Sequence, residues 1–224
     1  QLAAIGEIGG QMNLPPDALM PFIKTVAMMG ATTKLSFEEA GTTLGKFASI
    51  MGTTPANFER FASTLSRLGD ITVGDERDIA ALAQRLVGAG RMAKMTEADV
   101  LGLAAGFTQL GFAPELAGTA ISRVILEMGK AVSTGGTELQ YFASVAGLSA
   151  QQFQQAWQTD AAGAVIPADY TSVVPARVAQ DRTQISDVKL AATPNNIISI
   201  FNNIFAGEKG PELKASLDRP PRAK

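Results

Sequence analysis

Two pairs of neighbouring carboxylates, Glu38/Glu39 and Asp75/Glu76, come nearest to residues that could do acid–base chemistry. Two acids acting on one bond must converge on it, with carboxyls about 5–9.5 Å apart. Successive residues on a helix diverge instead. Both pairs stand where a helical pattern begins, and negative charge there meets the positive end of the helix dipole. They therefore read as capping and dipole residues. Gly88-Ala89-Gly90-Arg91 hints at a phosphate loop. It follows a helical pattern rather than a strand, and it lacks the Lys-Ser/Thr of a P-loop, so it reads as a helix-ending turn. Asp160 and Asp169 are too isolated to suggest a calcium loop.

The 224 residues include no histidine and no cysteine. That removes Ser-His-Asp and Cys-His triads, thiol nucleophiles and zinc sites with nitrogen and sulfur ligands. No catalytic, cofactor-binding or metal-binding residue is assigned, and the chain is read as a non-enzyme. A formal net charge of -2 is too balanced for a nucleic-acid footprint, which needs a basic face. No stretch reaches the roughly 18 apolar residues of a membrane span. Residues 139–159 carry no charge but are rich in Gln and Ser. Gly147-Leu148-Ser149 breaks them into two short helices. No signal-peptide pattern is present, and the chain opens on Gln1, which suggests processing or truncation.

Helical spacing dominates the elements that would have to position such groups. Phe58, Phe61, Leu65 and Leu68 recur at steps of three and four, as do Ile79, Leu82, Ala83 and Leu86. Val100, Leu103, Phe107 and Leu110 follow, then Ile121, Val124, Ile125, Met128 and Val132, then Leu139, Phe142 and Val145. Each set is the apolar stripe of an amphipathic helix. Ser36 with Glu39 forms a capping box, Ser149 with Gln152 repeats it, and Thr96 with Asp99 approximates it. Pro55 and Pro114 suit a first helical position. Gly30, Gly52, Gly69, Gly90, Gly111 and Gly147 fall where stripes end, as C-terminal caps do. The pattern predicts helices over residues 2–12, 16–29, 37–51, 55–68, 75–89, 97–110, 114–132, 137–146 and 150–158. Pro21 should kink or restart the second of them.

Leu35-Ser36-Phe37-Glu38-Glu39-Ala40, Met95-Thr96-Glu97-Ala98-Asp99-Val100 and Leu148-Ser149-Ala150-Gln151-Gln152-Phe153 share an apolar residue, a cap and a polar first turn. Ordinary helix-start chemistry accounts for this, and a helix-turn-helix repeat is the alternative. Gly-x-x-x-Gly occurs at Gly6/Gly10, Gly41/Gly45 and Gly102/Gly106. It suits tight helix packing in a bundle, or a surface that also packs in a bilayer. Phe153 and Trp157 share a helical face and read as packing residues. Met20, Met28, Met29 and Met51 form a soft surface that suits a core or an interface.

The character changes near residues 160–165. Pro167, Pro175 and Pro194 appear, with Thr171-Ser172-Val173-Val174 between them. One further helix is expected over about 194–206, with Ile197, Ile200, Phe201, Ile204 and Phe205 on its apolar face. The chain closes on a basic, proline-containing tail, Arg219-Pro220-Pro221-Arg222-Ala223-Lys224. The fold class is all-α: a multi-helix array of short amphipathic helices over 1–160, with a loosely structured C-terminal extension over 161–224. One short helix cannot bury its own face. Ile197, Ile200, Phe201, Ile204 and Phe205 are therefore the candidate partner-binding residues.

Taken in order, several stretches resemble the core region of phage tail tape measure proteins. They are Leu35–Ala40, Phe61 through Leu68-Gly69-Asp70, Ala83-Gln84-Arg85-Leu86 with Gly88-Ala89-Gly90, and Val100-Leu101-Gly102-Leu103-Ala104-Ala105. Gly118-Thr119-Ala120-Ile121-Ser122-Arg123, within the signature Ala117–Val124, and Phe142–Ser149 followed by Phe153 complete the set. Gly207-Glu208-Lys209-Gly210-Pro211-Glu212 is similar to a turn near the far C-terminus of such proteins. The resemblance implies a structural component that sets tail length, takes part in tail assembly and leaves ahead of the genome at ejection. It implies self-association about the tail axis, contact with tail tube and tail-tip or baseplate proteins, and contact with the host envelope at ejection. No cofactor and no sequence-specific nucleic acid is implied. The place it implies is the virion, in the tail lumen or at the tip, and the host cytoplasm during assembly. A ruler is long, whereas this chain, fully helical at ~1.5 Å per residue, spans only ~340 Å. A fragment of a longer chain, a short relative, or joined parts of a longer chain is therefore expected. The alternative function is a membrane-active, pore-forming helical module acting in DNA delivery.

Overall fold

Local hydrogen bonding sets where the helices begin. The computed structural model describes residues 2–109 and 111–165. Among the described residues ten α-helices run in order: α1 Leu2–Gln11, α2 Pro16–Thr32, α3 Phe37–Lys46, α4 Phe58–Ile71, α5 Glu76–Met92, α6 Glu97–Gln109, α7 Pro114–Thr134, α8 Gly136–Val145, α9 Ala150–Thr159 and α10 Ala161–Val165. A π turn, Phe47–Met51, extends α3, and a 3-10 turn, Pro55–Asn57, leads into α4. Of the described residues 82% are helical and none is in a strand, so the protein is all-α.

Three helix starts use reciprocal caps. Ser36 Oγ accepts from the Glu39 N–H at 3.1 Å, and the Glu39 carboxylate accepts from the Ser36 N–H at 2.7 Å. Thr96 with Asp99 does the same at 3.2 and 2.9 Å, and Ser149 with Gln152 at 3.3 and 2.9 Å. Each cap satisfies donors the helix leaves open and is worth about 1 kcal/mol. Asp75 caps α5 by accepting from the Asp78 N–H at 3.0 Å. Pro114 takes the first position of α7, and Pro55 opens the 3-10 turn.

One expectation from the sequence needs correction, and a second is narrowed. Gly52, Gly111 and Gly147 are left-handed, with φ of 78°, 80° and 69°, as helix-ending glycines should be. Gly30, Gly69 and Gly90 are not caps; they lie inside α2, α4 and α5. A Cβ on each would stand 2.6 Å from the Phe37 ring, 2.3 Å from the Glu76 side chain and 2.6 Å from Val100. These glycines let the next helix cross closely, and the helix continues past them. Pro21 does not restart its helix either, because α2 runs unbroken through it. It forgoes the one bond that a residue there would donate to the Asp17 carbonyl, and the helix continues on the bonds around it.

One core joins all ten helices, with Phe22, Phe47, Phe58 and Phe153 at most 1% exposed. Burying each such side chain contributes roughly 1.5–3 kcal/mol. Phe22 meets Phe58 edge-on at 6.2 Å between ring centroids, and Phe47 meets Phe61 at 4.6 Å. Gly41 and Gly45 make a shallow groove along α3. Ile8 and Met12, also four residues apart, come within 3.2 and 2.8 Å of where their Cβ atoms would be. Ridge thus meets groove, as helix packing requires. α10 packs on α9 and α6 and buries Ala161, Ala162, Ala164 and Val165. The last described helix thus ends at Val165. No described helix is long and apolar enough to cross a membrane.

Candidate interaction surface

Of the neighbouring carboxylates, Glu39, Asp75 and Glu76 serve helix starts and packing, whereas Glu38 is exposed. Glu39 accepts from Ser36 and pairs with Arg77 at 3.0 Å, tying the start of α3 to α5. The Ser36 N–H and, secondarily, the Arg77 guanidinium hold the Glu39 carboxyl below the usual carboxylate range. Arg77 also donates to the Lys34 carbonyl at 2.8 Å. Glu76 is buried over Gly69. Gly88-Ala89-Gly90-Arg91 lies wholly within α5, so it is not the helix-ending turn that the sequence suggested, nor a phosphate loop. Arg91 donates to the Met51 carbonyl at 3.4 Å. Asp160 accepts from the Gly163 N–H at 2.9 Å in α10. Asp169 and the set Ile197, Ile200, Phe201, Ile204 and Phe205 lie outside the described residues.

On the surface, Lys24 and Glu59 pair at 2.8 Å, which raises the lysine and lowers the carboxyl. Both are open to solvent, so the pair adds little to stability. Phe153 and Trp157 stack at 6.4 Å and are buried, with Trp157 against Gly129, so neither is a platform for a base. The methionines divide: Met29 and Met51 are core, whereas Met20 is 70% exposed. Among the described residues, Met92 and Val73 are the other strongly exposed large apolar residues, at 75% and 73%.

Sequence reasoning missed the polar ties between helices. Thr53 Oγ1 donates to Glu97 at 2.8 Å, and Gln84 donates to the buried Thr43 at 2.9 Å. Both join residues more than 40 positions apart, so no local pattern announces them. A groove of about 510 Å³ runs between α7 and α8, lined by Arg123, Lys130, Glu127, Glu138 and Tyr141 among others. Its cations and anions alternate, which favours neither an acidic nor a basic partner. No group of acids that could hold a metal occurs among the described residues.

The stretch Ala117–Val124 is mostly buried and packs inward on α5. A Cβ at Gly118 would lie 2.6 Å from Cβ and Cδ of Arg85, so the arginine stem crosses α7 over bare backbone. One turn on, Ser122 Oγ donates to the Arg85 carbonyl at 3.1 Å. The Arg85 guanidinium reaches back to Glu115 at 3.3 Å. The segment is a seat for α5. The model of one family, described as phage-related minor tail protein, matches residues 1–167. The chain belongs to that family. No curated protein and no solved structure matches it. As a phage-related minor tail protein it has a structural role in a phage tail and is virion-associated, in company with other tail components.

Proposed function

We propose that this minor tail protein is a tape measure component, acting in tail length determination, tail assembly and genome ejection. The observation that carries the reading is the ordered series of matching stretches from Leu35 to Phe153, within the span that matches the family. Their structural use supports it. Ser36, Gly118 and Ser122 in those stretches cap or seat helices, as a structural protein needs. In this reading the protein self-associates about the tail axis inside the tube and leaves ahead of the DNA. Ile197, Ile200, Phe201, Ile204 and Phe205 form the contact with tail-tip proteins, and tube proteins surround the rest. Host envelope contact follows at ejection.

An in-frame duplication of 76–134 in the phage genome tests the length role. Micrographs should show longer tails of uniform length. Normal tails of unchanged length overturn it. Deleting 194–206 should leave tips unassembled, and normal tips would refute that contact.

A further inference from the structure

Three helices carry one short pattern at a constant spacing. It reads Ile5-Gly6-Glu7-Ile8-Gly9 in α1, Leu65-Ser66-Arg67-Leu68-Gly69 in α4 and Ile125-Leu126-Glu127-Met128-Gly129 in α7, sixty positions apart each time. Ile5, Leu65 and Ile125 are at most 1% exposed. Each closing glycine faces the helical hairpin that comes next in the chain. Gly9 meets Leu19 and Phe22 of α2, Gly69 meets Glu76 at the start of α5, and Gly129 meets Trp157 of α9. Seven residues after each glycine the next helix begins, at Pro16, Glu76 and Gly136. The packing repeats as well: α1 lies on α2 and α3, α4 on α5 and α6, and α7 on α8 and α9.

The second helix of each hairpin keeps the same register. The caps Ser36 and Thr96 are sixty apart. α8 has 10 residues where α5 has 17, so the third cap, Ser149, arrives seven positions early. Four residues after each cap stand Ala40, Val100 and Phe153, all 0% exposed. The register then slips by one and recovers. Gly52 and Gly111, both left-handed, are fifty-nine apart, as are Pro55 and Pro114. The extra residue of the first copy sits in the π turn Phe47–Met51, which takes one more residue than an α turn. The recovery is in the 3-10 turn Pro55–Asn57. Three residues at ~2.0 Å rise span the same ~6 Å as four α-helical residues at ~1.5 Å.

We infer that residues 2–159 are built from tandem copies of one three-helix unit of sixty residues, α1–α3, α4–α6 and a shortened α7–α9, each closed through the same surface. That surface is a seat on the first helix of each unit, two apolar residues three apart followed by a glycine, and the hairpin that follows packs on it. In such arrays each unit packs on its neighbours along one dimension. The inference stands apart from the tail assignment, because it uses only register and packing.

Two measurements on the full chain test it, both read as thermal midpoints by circular dichroism. Deleting Ser49, exposed in the π turn, gives α3 the length of α6. The midpoint should move by no more than about 3 °C, whereas deleting Gln109, exposed at the end of α6, should lower it by about 8 °C or more. Equal effects of the two deletions, large or small, overturn the inference. Replacing Leu65–Gly69 by the five residues Ile125–Gly129 should be tolerated, whereas a scrambled version of the same five should not. If the transplant unfolds the protein as the scramble does, the seats are not equivalent.

Discussion

α3 and α6 occupy equivalent places and begin with the same reciprocal cap, yet their surroundings differ. α3 buries one face, Ala40, Gly41, Thr43, Leu44 and Gly45. α6 is buried from Val100 through Ala105 without a break, and again at Phe107 and Thr108. A helix apolar all round belongs inside a protein. α6 is enclosed by α4, α5 and α10, whereas α3 lies against α1, α2 and α5. Equivalent start signals thus place a helix, and its position along the array decides how much of it is covered.

Reciprocal size changes break or sharpen that comparison most strongly. Leu44 and Ala104 are equivalent, and both are 0% exposed. Leu44→Ala should cost about 3 kcal/mol through the cavity it leaves. Ala104→Leu should cost about 2 kcal/mol by overpacking. Urea denaturation measures both, and a neutral Ala104→Leu would show that α6 is not closely surrounded. Next come the glycines. Gly118→Ala drives a methyl against the fixed Cβ of Arg85 and should lose about 1–2 kcal/mol. Gly106→Ala meets nothing within 4 Å and should gain up to about 1 kcal/mol from helix propensity. A gain at Gly118 would remove it from the seat.

The caps rank below these. Ser36→Ala and Thr96→Ala should each lose about 1 kcal/mol, equally, because each removes one acceptor at an exposed helix start. A difference between them would show that position in the array reaches even the caps. The smallest effect is in acid. The Glu39 carboxyl is held below its usual range in the folded state. Its contribution is therefore present above the unfolded value and is lost as pH falls through the folded one. Glu39→Gln should be less stable near neutrality and lose less on acidification. Parallel stability curves for variant and parent would contradict this.

The helices were legible because their signals are local. Ser36 and Glu39 sit three residues apart and announce a start wherever the rest of the chain lies. Gly30, Gly69 and Gly90 were misread for the same reason. Beside a fading stripe a glycine looks like a cap, and only the presence of Phe37, Glu76 or Val100 across the gap shows otherwise. The ties of Thr43 to Gln84 and Thr53 to Glu97 had no local signal at all. The sixty-residue register did leave a trace, in Ile5–Gly9, Leu65–Gly69 and Ile125–Gly129. Helix-start similarity drew attention to Ser36, Thr96 and Ser149, where the third spacing is short, instead of to the glycines that keep it.

By itself the sequence determined the all-α class, the helix starts and the absence of histidine and cysteine chemistry. Those follow from residue type and from bonds that close within four residues. Only the tertiary structure decided which glycines end helices and which admit a neighbour, and why Gly118 and Ser122 face Arg85. Those depend on atoms brought together from distant parts of the chain, and close packing leaves each of them one place to go.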